Sequence, residues 1–379
     1  MNKLTSKSKN LNILHIYKSY YPDTQGGVER LIHMLAVETS LEGCSNRLLT
    51  CTKEKKFYIK KDKELEVYYY PQTIALASCP FSYTLWKDFS EQVQWADIVH
   101  YHFPWPMADG LHYGKKIQKP TVVTYHSDVV RQKVLRFFYY PLMKIFLKQI
   151  TKIVATSQNY VDTSEVLKHY REKTQVIPIG IEPSHYHVNA EKKAFWQNKL
   201  SSCFFLFVGV LRYYKGVEYL LQALENTDIP FVIVGGGPLL TTLREQAKNL
   251  NLKPNQVIFT EEVSDEDLSA IYSLAKALVI PASHRSEAYC IALVEGLLFG
   301  LPLISAEIGT GTSFVNQQDK TGLIVPACDV TALRKAMLLL WQNDDLQHQM
   351  SVASRARFES LFTAKKMAEK YLEVYKEIS

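Results

Sequence analysis

No two of the six cysteines in this chain form a C-x-x-C pair; they are scattered at 44, 51, 79, 203, 290 and 328. That scatter argues against a zinc site or a disulfide framework and for a reducing compartment, so the cytosol is the expected location. No apolar run approaches the roughly 18 residues needed to cross a bilayer. The basic start, Met1 to Lys9, is not followed by a signal-peptide core. A G-x-G-x-x-G fingerprint is missing as well. The nearest approach, Gly235-Gly236-Gly237-Pro238, lacks that spacing and lies deep in the chain. It reads as a tight strand-to-helix turn rather than a flavin or nicotinamide site.

Acidic residues are absent from 129 to 161, where six basic residues are interleaved with aromatics, among them Arg131, Lys133, Arg136, Phe137, Phe138, Tyr139, Tyr140, Lys144, Phe146 and Lys148. Two readings stay open for the 131–149 segment: a core-facing helix with a solvated basic side, or a helix lying on an anionic membrane. Nucleic acid is not expected as a partner, because no recognition motif accompanies the charge. The mixed-sign run from Lys53 to Glu66 reads as a solvated edge.

What is present is a soluble-type composition, 47% apolar and 22% charged with a net charge of +6, in 379 residues. That length is too great for one ordinary core, so two domains are expected. Strand-like apolar runs alternate with helical patterns, which implies βαβ units and parallel sheets. In the first half the strands read Asn12–Ile16, Arg47–Thr50, Ile98–Tyr101, Thr121–Tyr125, Ile153–Thr156 and Gln175–Ile177. Pro178-Ile179-Gly180-Ile181-Glu182-Pro183 looks like a boundary. The pattern then restarts with Phe204–Gly209, Phe231–Val234, Val257–Thr260, Ala277–Ile280, Pro302–Ser305 and Gly322–Val325. The expected fold is α/β: two Rossmann-like, doubly wound domains facing across a cleft, over 1–182 and 183–360. A last helix within 361–379 is expected to pack back on the first domain.

Ligands of open α/β sheets bind beyond the carboxyl ends of the strands, where helix N-termini attract phosphate. The loop after the first strand carries Gly26-Gly27-Val28-Glu29. Adjacent glycines there let backbone approach a phosphate, or simply make a turn. The loop after Phe204–Gly209 carries Arg212 and Lys215, which can straddle a diphosphate or remain two solvated cations. After Ala277–Ile280 come Glu287 and, eight residues on, Glu295. A carboxylate accepts hydrogen bonds and cannot hold a phosphate, so this pair suits the hydroxyl groups of a sugar. If the whole gap were helical the two carboxylates would be turned by roughly 80°. That disfavours the paired carboxylates of a glycoside hydrolase, which flank one bond. Of the histidines at strand ends, His100, His102 and His126, only His126 is kept as a site candidate. No metal ligand set stands out.

Taken in order, these motifs make the chain resemble glycosyltransferase family 4, retaining enzymes of GT-B architecture. The resemblance spans nearly the whole chain: Gly26-Gly27-Val28-Glu29, Tyr125-His126-Ser127-Asp128, the 178–182 linker, Arg212…Lys215-Gly216, Gly235-Gly236-Gly237-Pro238 and Glu287…Glu295. It implies a sugar-nucleotide donor and no metal or other cofactor. By that resemblance Arg212 and Lys215 hold the diphosphate, and Gly26, Gly27 and Gly236 approach the donor. Glu295 takes the ribose, and Glu287 with Ala288, Tyr289, Cys290 and Ile291 takes the sugar, with His126 near the reacting centre.

The segment Glu307 to Asn316, together with Tyr125 to Lys133, is similar to the branch that builds bacterial surface polysaccharide from GDP-mannose or a GDP-deoxyhexose. The implied reaction moves a hexose, mannose or a related sugar, onto a lipid-linked glycan at the inner face of the cell membrane. One departure stands out. Ala288-Tyr289-Cys290 replaces the family's usual Gly-Phe-Gly, in a loop whose amides would contact the sugar. A UDP-sugar donor is the alternative within the class. A non-catalytic sugar-nucleotide-binding protein is the alternative outside it, and an oxidoreductase rests only on the triple glycine.

Overall fold

A computed structural model describes residues 10–24, 26–76, 79–129, 133–200 and 203–379. It divides into two compact units. The first comprises 1–156, 164–179 and 364–379; the second comprises 157–163 and 180–363. The step between them, Ile179–Gly180, lies inside the proline- and glycine-bearing segment expected as a boundary.

The first unit carries β1 (Asn12–Ile16), β2 (Ser45–Thr52), β3 (Tyr58–Asp62), β4 (Leu65–Pro71), β5 (Ile74–Leu76), β6 (Cys79–Phe81), β7 (Ile98–Phe103), β8 (Thr121–Tyr125), β9 (Lys152–Ala155) and β10 (Thr174–Val176). Eight of them form one sheet in the order β10-β9-β8-β7-β1-β2-β4-β3. Every pairing is parallel except β3 with β4. All six residues of β7 are buried, His100 and His102 included. A parallel strand covered on both faces has no solvent side on which to place polar residues.

The Lys53–Glu66 run corrects the sequence reading in part. Its central residues form β3, a charged edge strand with an exposed middle, and its end starts β4, whose Val67, Tyr69 and Tyr70 are buried. Lysines on an edge strand deter pairing with another chain.

The final helix, Ala364–Ile378, belongs to the first unit and buries Met367, Ala368, Tyr371, Leu372, Val374 and Tyr375. Its tyrosines reach into the sheet. Tyr375 Oη lies 2.7 Å from His100 Nδ1, and Tyr371 Oη lies 2.8 Å from Thr124 Oγ1.

The basic and aromatic segment is helical over Lys133–Gln149 and buries Met143, Phe146 and Leu147 while exposing Phe137 and Ile145. Arg131 and the side chains of Lys133, Arg136 and Phe138 lie outside the described residues. No helix among the described residues is long and apolar enough to cross a membrane.

The second unit carries β11 (Phe205–Val208), β12 (Phe231–Val234), β13 (Val257–Glu261), β14 (Ala277–Ile280), β15 (Leu303–Glu307) and β16 (Gly322–Pro326). They form one parallel sheet in the order β13-β12-β11-β14-β15-β16. This is the doubly wound order in which the winding reverses between the first and fourth strands. Here those strands are β11 and β14, so the crevice beyond their carboxyl ends is the favoured ligand position. Each fully buried Leu, Ile or Phe in these strands contributes roughly 1.5–3 kcal/mol. The helix after β14, Ile291–Leu298, lies tight on the sheet. A Cβ at Gly296 would stand 2.8 Å from Leu278 Cδ2 and 2.9 Å from Leu303 Cδ2.

Candidate active site

Lys215 leaves the loop after β11 and Glu287 the loop after β14, and the two meet at the reversal point. Lys215 Nζ lies 2.5 Å from Glu287 Oε2, with both side chains about nine-tenths buried (11% and 10% exposed). Burial alone would lower the ammonium's pKa. The Glu287 carboxyl, with help from Cys290, outweighs it and holds Lys215 above its usual value. The lysine is therefore a charged donor, and an ammonium has three protons, so one ion pair leaves others to offer.

Backbone geometry fixes that meeting. Gly216 is left-handed (φ +68°), and a Cβ there would fall 2.0 Å from the Pro281 carbonyl oxygen, so only glycine lets the two loops touch. Ser283 N–H donates to the Tyr214 carbonyl at 2.9 Å. Arg212 caps the short turn Tyr213–Lys215 and its side chain is exposed.

The triple glycine packs against the same loop, as a tight turn. Leu211 N–H donates to the Gly236 carbonyl (2.8 Å), and a Cβ on Gly235 would stand 2.2 Å from the Gly209 carbonyl oxygen.

The two glutamates occupy different settings. Glu287 lies in the loop, because the helix starts only at Ile291. The helical separation of roughly 80° drawn from the eight-residue gap does not apply here. Glu295 is buried in the helix, 4% exposed, and accepts from Tyr186 Oη on Oε1 (2.8 Å) and from Tyr272 Oη on Oε2 (2.7 Å). Sequence reasoning missed both tyrosines, since neither lies near the glutamates in the chain.

Between the glutamates, Cys290 stands at φ +68°, a left-handed position where the family's pattern has glycine. Its thiol is pushed up to about 12, by burial first and by Glu287 next. The 307–316 segment brackets this loop. Thr310 Oγ1 donates to the Glu287 carbonyl (2.8 Å) and Gly311 N–H to the Ala288 carbonyl (2.9 Å). Tyr289 lies so close that a Cβ on Gly311 would stand 2.6 Å from its ring.

In the first unit, Gly26 caps the helix Gly27–Leu41 without a side-chain cap. Its φ of −110° is ordinary, so space rather than conformation selects glycine. A Cβ there would lie 2.5 Å from Glu29 Oε2. The buried Glu29 carboxyl also accepts from Ser19 (3.0 Å) and Thr24 (2.5 Å). An acid beside that helix start disfavours phosphate there and favours hydroxyl groups.

His126 follows β8, 9% exposed, and its Nε2 lies 3.1 Å from His102 Nδ1. Burial first, then Lys18, pushes its pKa down to about 3. His102 Nε2 in turn lies 3.2 Å from His15 Nδ1. His15, His100 and His102 bring nitrogens within 4.8 Å of one another, a spacing open to a metal ion, yet every ring nitrogen of the three lies at hydrogen-bond distance from a neighbouring side chain. His15 carried no signal in the sequence as an isolated strand residue; only strand pairing, which sets it opposite His100, reveals it.

Two doubly wound sheets, parallel apart from the β3–β4 edge, are the architecture of GT-B glycosyltransferases. Residues 25–185 match the family model described as Glycosyltransferase Family 4, and residues 188–357 match Glycosyl transferases group 1. The chain is 42% identical to the O-antigen chain mannosyltransferase C of Escherichia coli, over 96% of this chain and 98% of that protein. It is 44% identical to the D-rhamnosyltransferase WbpZ of Pseudomonas aeruginosa, over 93% of each. In fold it is similar to the Anabaena protein HepE in complex with UDP, with a TM-score of 0.79, 14% identity and coverage of 97% of this chain and 100% of that one. The protein belongs to glycosyltransferase family 4.

Proposed function

We propose that this enzyme transfers mannose, or a related hexose, from a GDP-sugar to a lipid-linked glycan in O-antigen or lipopolysaccharide synthesis, with retention of configuration and without a metal. The observation that carries the reading is the buried Lys215–Glu287 pair at the strand reversal of the second unit. The 42% and 44% identities to a mannosyl- and a rhamnosyltransferase support the sugar class.

The chemistry follows from charge. As the bond between sugar and phosphate breaks, negative charge grows on the leaving diphosphate. Lys215 and Arg212 would stabilise that charge more in the transition state than in the ground state. Glu287 both positions Lys215 and accepts from hydroxyls of the donor sugar. Glu295 would take the ribose, with its carboxylate oriented by the two tyrosines. Gly236 and Ile291 lie where backbone can approach the donor, and Ala288, Tyr289 and Cys290 line the sugar. In the first unit His126 is assigned to the sugar, and Gly26 and Gly27 to close backbone approach. Attack from the face the diphosphate leaves requires no protein nucleophile and gives retention.

The test is a thermal-shift comparison of GDP, UDP and NAD, since a ligand of the folded state raises Tm with its concentration over Kd. GDP is expected to stabilise most, and a preference for UDP would overturn the donor. The anomeric configuration of the product, read by NMR, tests retention. Turnover that survives a chelator tests metal independence.

A further inference from the structure

The histidines of the first unit form a hydrogen-bonded row with a direction, and its anchor is Asn46. The Asn46 amino group, Nδ2, points at the Ala36 carbonyl (3.0 Å), Thr39 Oγ1 (3.1 Å) and Ser40 Oγ (2.9 Å). A carbonyl can only accept, so the amide cannot be turned the other way without setting two oxygens against each other. Asn46 Oδ1 therefore faces His15 Nε2, 3.2 Å away, and that nitrogen must carry a proton.

His15 is fully buried, and burial pushes its pKa down to about 4, so the ring is neutral and Nδ1 is bare. The bare Nδ1 needs a donor, which makes His102 Nε2, 3.2 Å away, an N–H. His102 is buried too and held well below its ordinary value by burial and then by its neighbours His100, His126 and His15, which leaves its Nδ1 bare. His126 Nε2, 3.1 Å from it, must then be an N–H. A neutral His126 is left with Nδ1 as an acceptor. His100 stands beside the row, its ring 4.4 Å from that of His102, but its own nitrogens meet Tyr375 and Thr124. Tyr17 touches His102 and His126 edge-on.

We propose that Asn46, acting through His15 and His102, fixes His126 as the Nε2–H tautomer, so that His126 presents a hydrogen-bond acceptor to the group it meets. Asn46, His15 and His102 are positioning residues in this scheme. It rests on the reading that His126 meets the donor sugar, and it adds that the contact is to a hydroxyl acting as donor. An Nδ1–H in its place could only donate to the hydroxyl oxygen, which reverses the direction of the bond and leaves the hydroxyl's own proton without this acceptor.

The experiment is two-bond proton–nitrogen NMR on the full chain labelled with ¹⁵N-histidine, with rings assigned through single substitutions. The expected result is Nε2–H with bare Nδ1 at His15, His102 and His126. An Nδ1–H or doubly protonated His126 would overturn the inference. His102→Phe keeps a ring but removes both nitrogens. The expected outcome is a mixture of tautomers at His126 and a loss of roughly tenfold or more in kcat. Should that variant fail to fold, His15→Phe cuts the row one step earlier and is expected to loosen the tautomers in the same direction. A pure Nε2–H signal at His126 in a folded variant removes the row as its cause. Transfer at the wild-type rate in His126→Phe would instead remove the sugar contact and leave the tautomer assignment standing.

Discussion

Lys215 Nζ and Glu287 Oε2 stand 2.5 Å apart although 72 residues (287 − 215) separate them in the chain. The pair joins the loops after β11 and β14, the two strands between which the second sheet reverses. It couples the expected phosphate ligand to the expected sugar ligand, so that neither can be altered alone.

Removing one partner of a buried pair leaves the other uncompensated, at a cost of about 3 kcal/mol or more. Lys215→Ala is therefore expected to lower Tm as well as abolish transfer. Lys215→Met with Glu287→Gln should regain much of the stability and none of the activity. Arg212 is exposed, so Arg212→Ala should keep Tm and lose on the order of 100-fold in kcat. Wild-type turnover in Arg212→Ala would refute its role.

Gly216 gives a sharper structural test. Its φ of +68°, and the 2.0 Å that would separate a Cβ there from the Pro281 oxygen, leave no room for a side chain. Gly216→Ala should cost several kcal/mol and separate Lys215 from Glu287, whereas Gly26→Ala meets only the movable end of Glu29 and should be milder. Equal Tm values for the two variants would contradict this.

Cys290 holds a left-handed conformation that costs an ordinary residue about 1–2 kcal/mol. Cys290→Gly relieves that strain but gives up roughly 1 kcal/mol of burial, so near-neutral stability is expected. Cys290→Val should be clearly destabilising, because a β-branched side chain tolerates positive φ worst. A stable Val variant with unchanged donor preference would show that this backbone position is unconstrained.

The buried histidines predict acid sensitivity. A histidine whose folded pKa is depressed stays neutral in the fold and takes up a proton when unfolded. The stability it contributes is present above about 6.5 and is lost as pH falls toward the folded value. That value is about 4 for His15 and His112 and about 3 for His126, with His100 and His102 shifted the same way, in each case chiefly through burial. Each contributes up to about 1.4 kcal/mol per pH unit.

Asp109 acts oppositely. Burial raises it to about 8 against the Tyr139 hydrogen bond, so its contribution grows as pH falls from there. Several histidines outweigh one carboxyl. The urea midpoint should therefore fall from about pH 7 to about pH 5. A flat midpoint across that range would mean the histidines titrate normally.

Much of the fold was readable because parallel strands announce themselves as short apolar runs between punctuated loops, and each of the twelve expected strands is found. β3 and β4 were not, because the lysines of an edge strand resemble a loop and the buried side of β4 is spread among tyrosines. The loops carrying Arg212, Lys215, Glu287 and Cys290 were legible as strand ends facing a helix start. Tyr186 and Tyr272 on Glu295, and the bracket that 307–316 forms around Ala288, were not. Hydrogen bonds between distant segments leave no periodic trace.

By itself, the sequence determined the α/β class, the position of the chemistry-bearing loops and the membership of a glycosyltransferase family, because these depend on local pattern and on motifs in order. Only the tertiary structure decided that Lys215 and Glu287 are one unit, that Cys290 is strained, and that Asn46 reaches His126 through His15 and His102. Those follow from strand order and register, which bring together side chains that the chain itself keeps far apart.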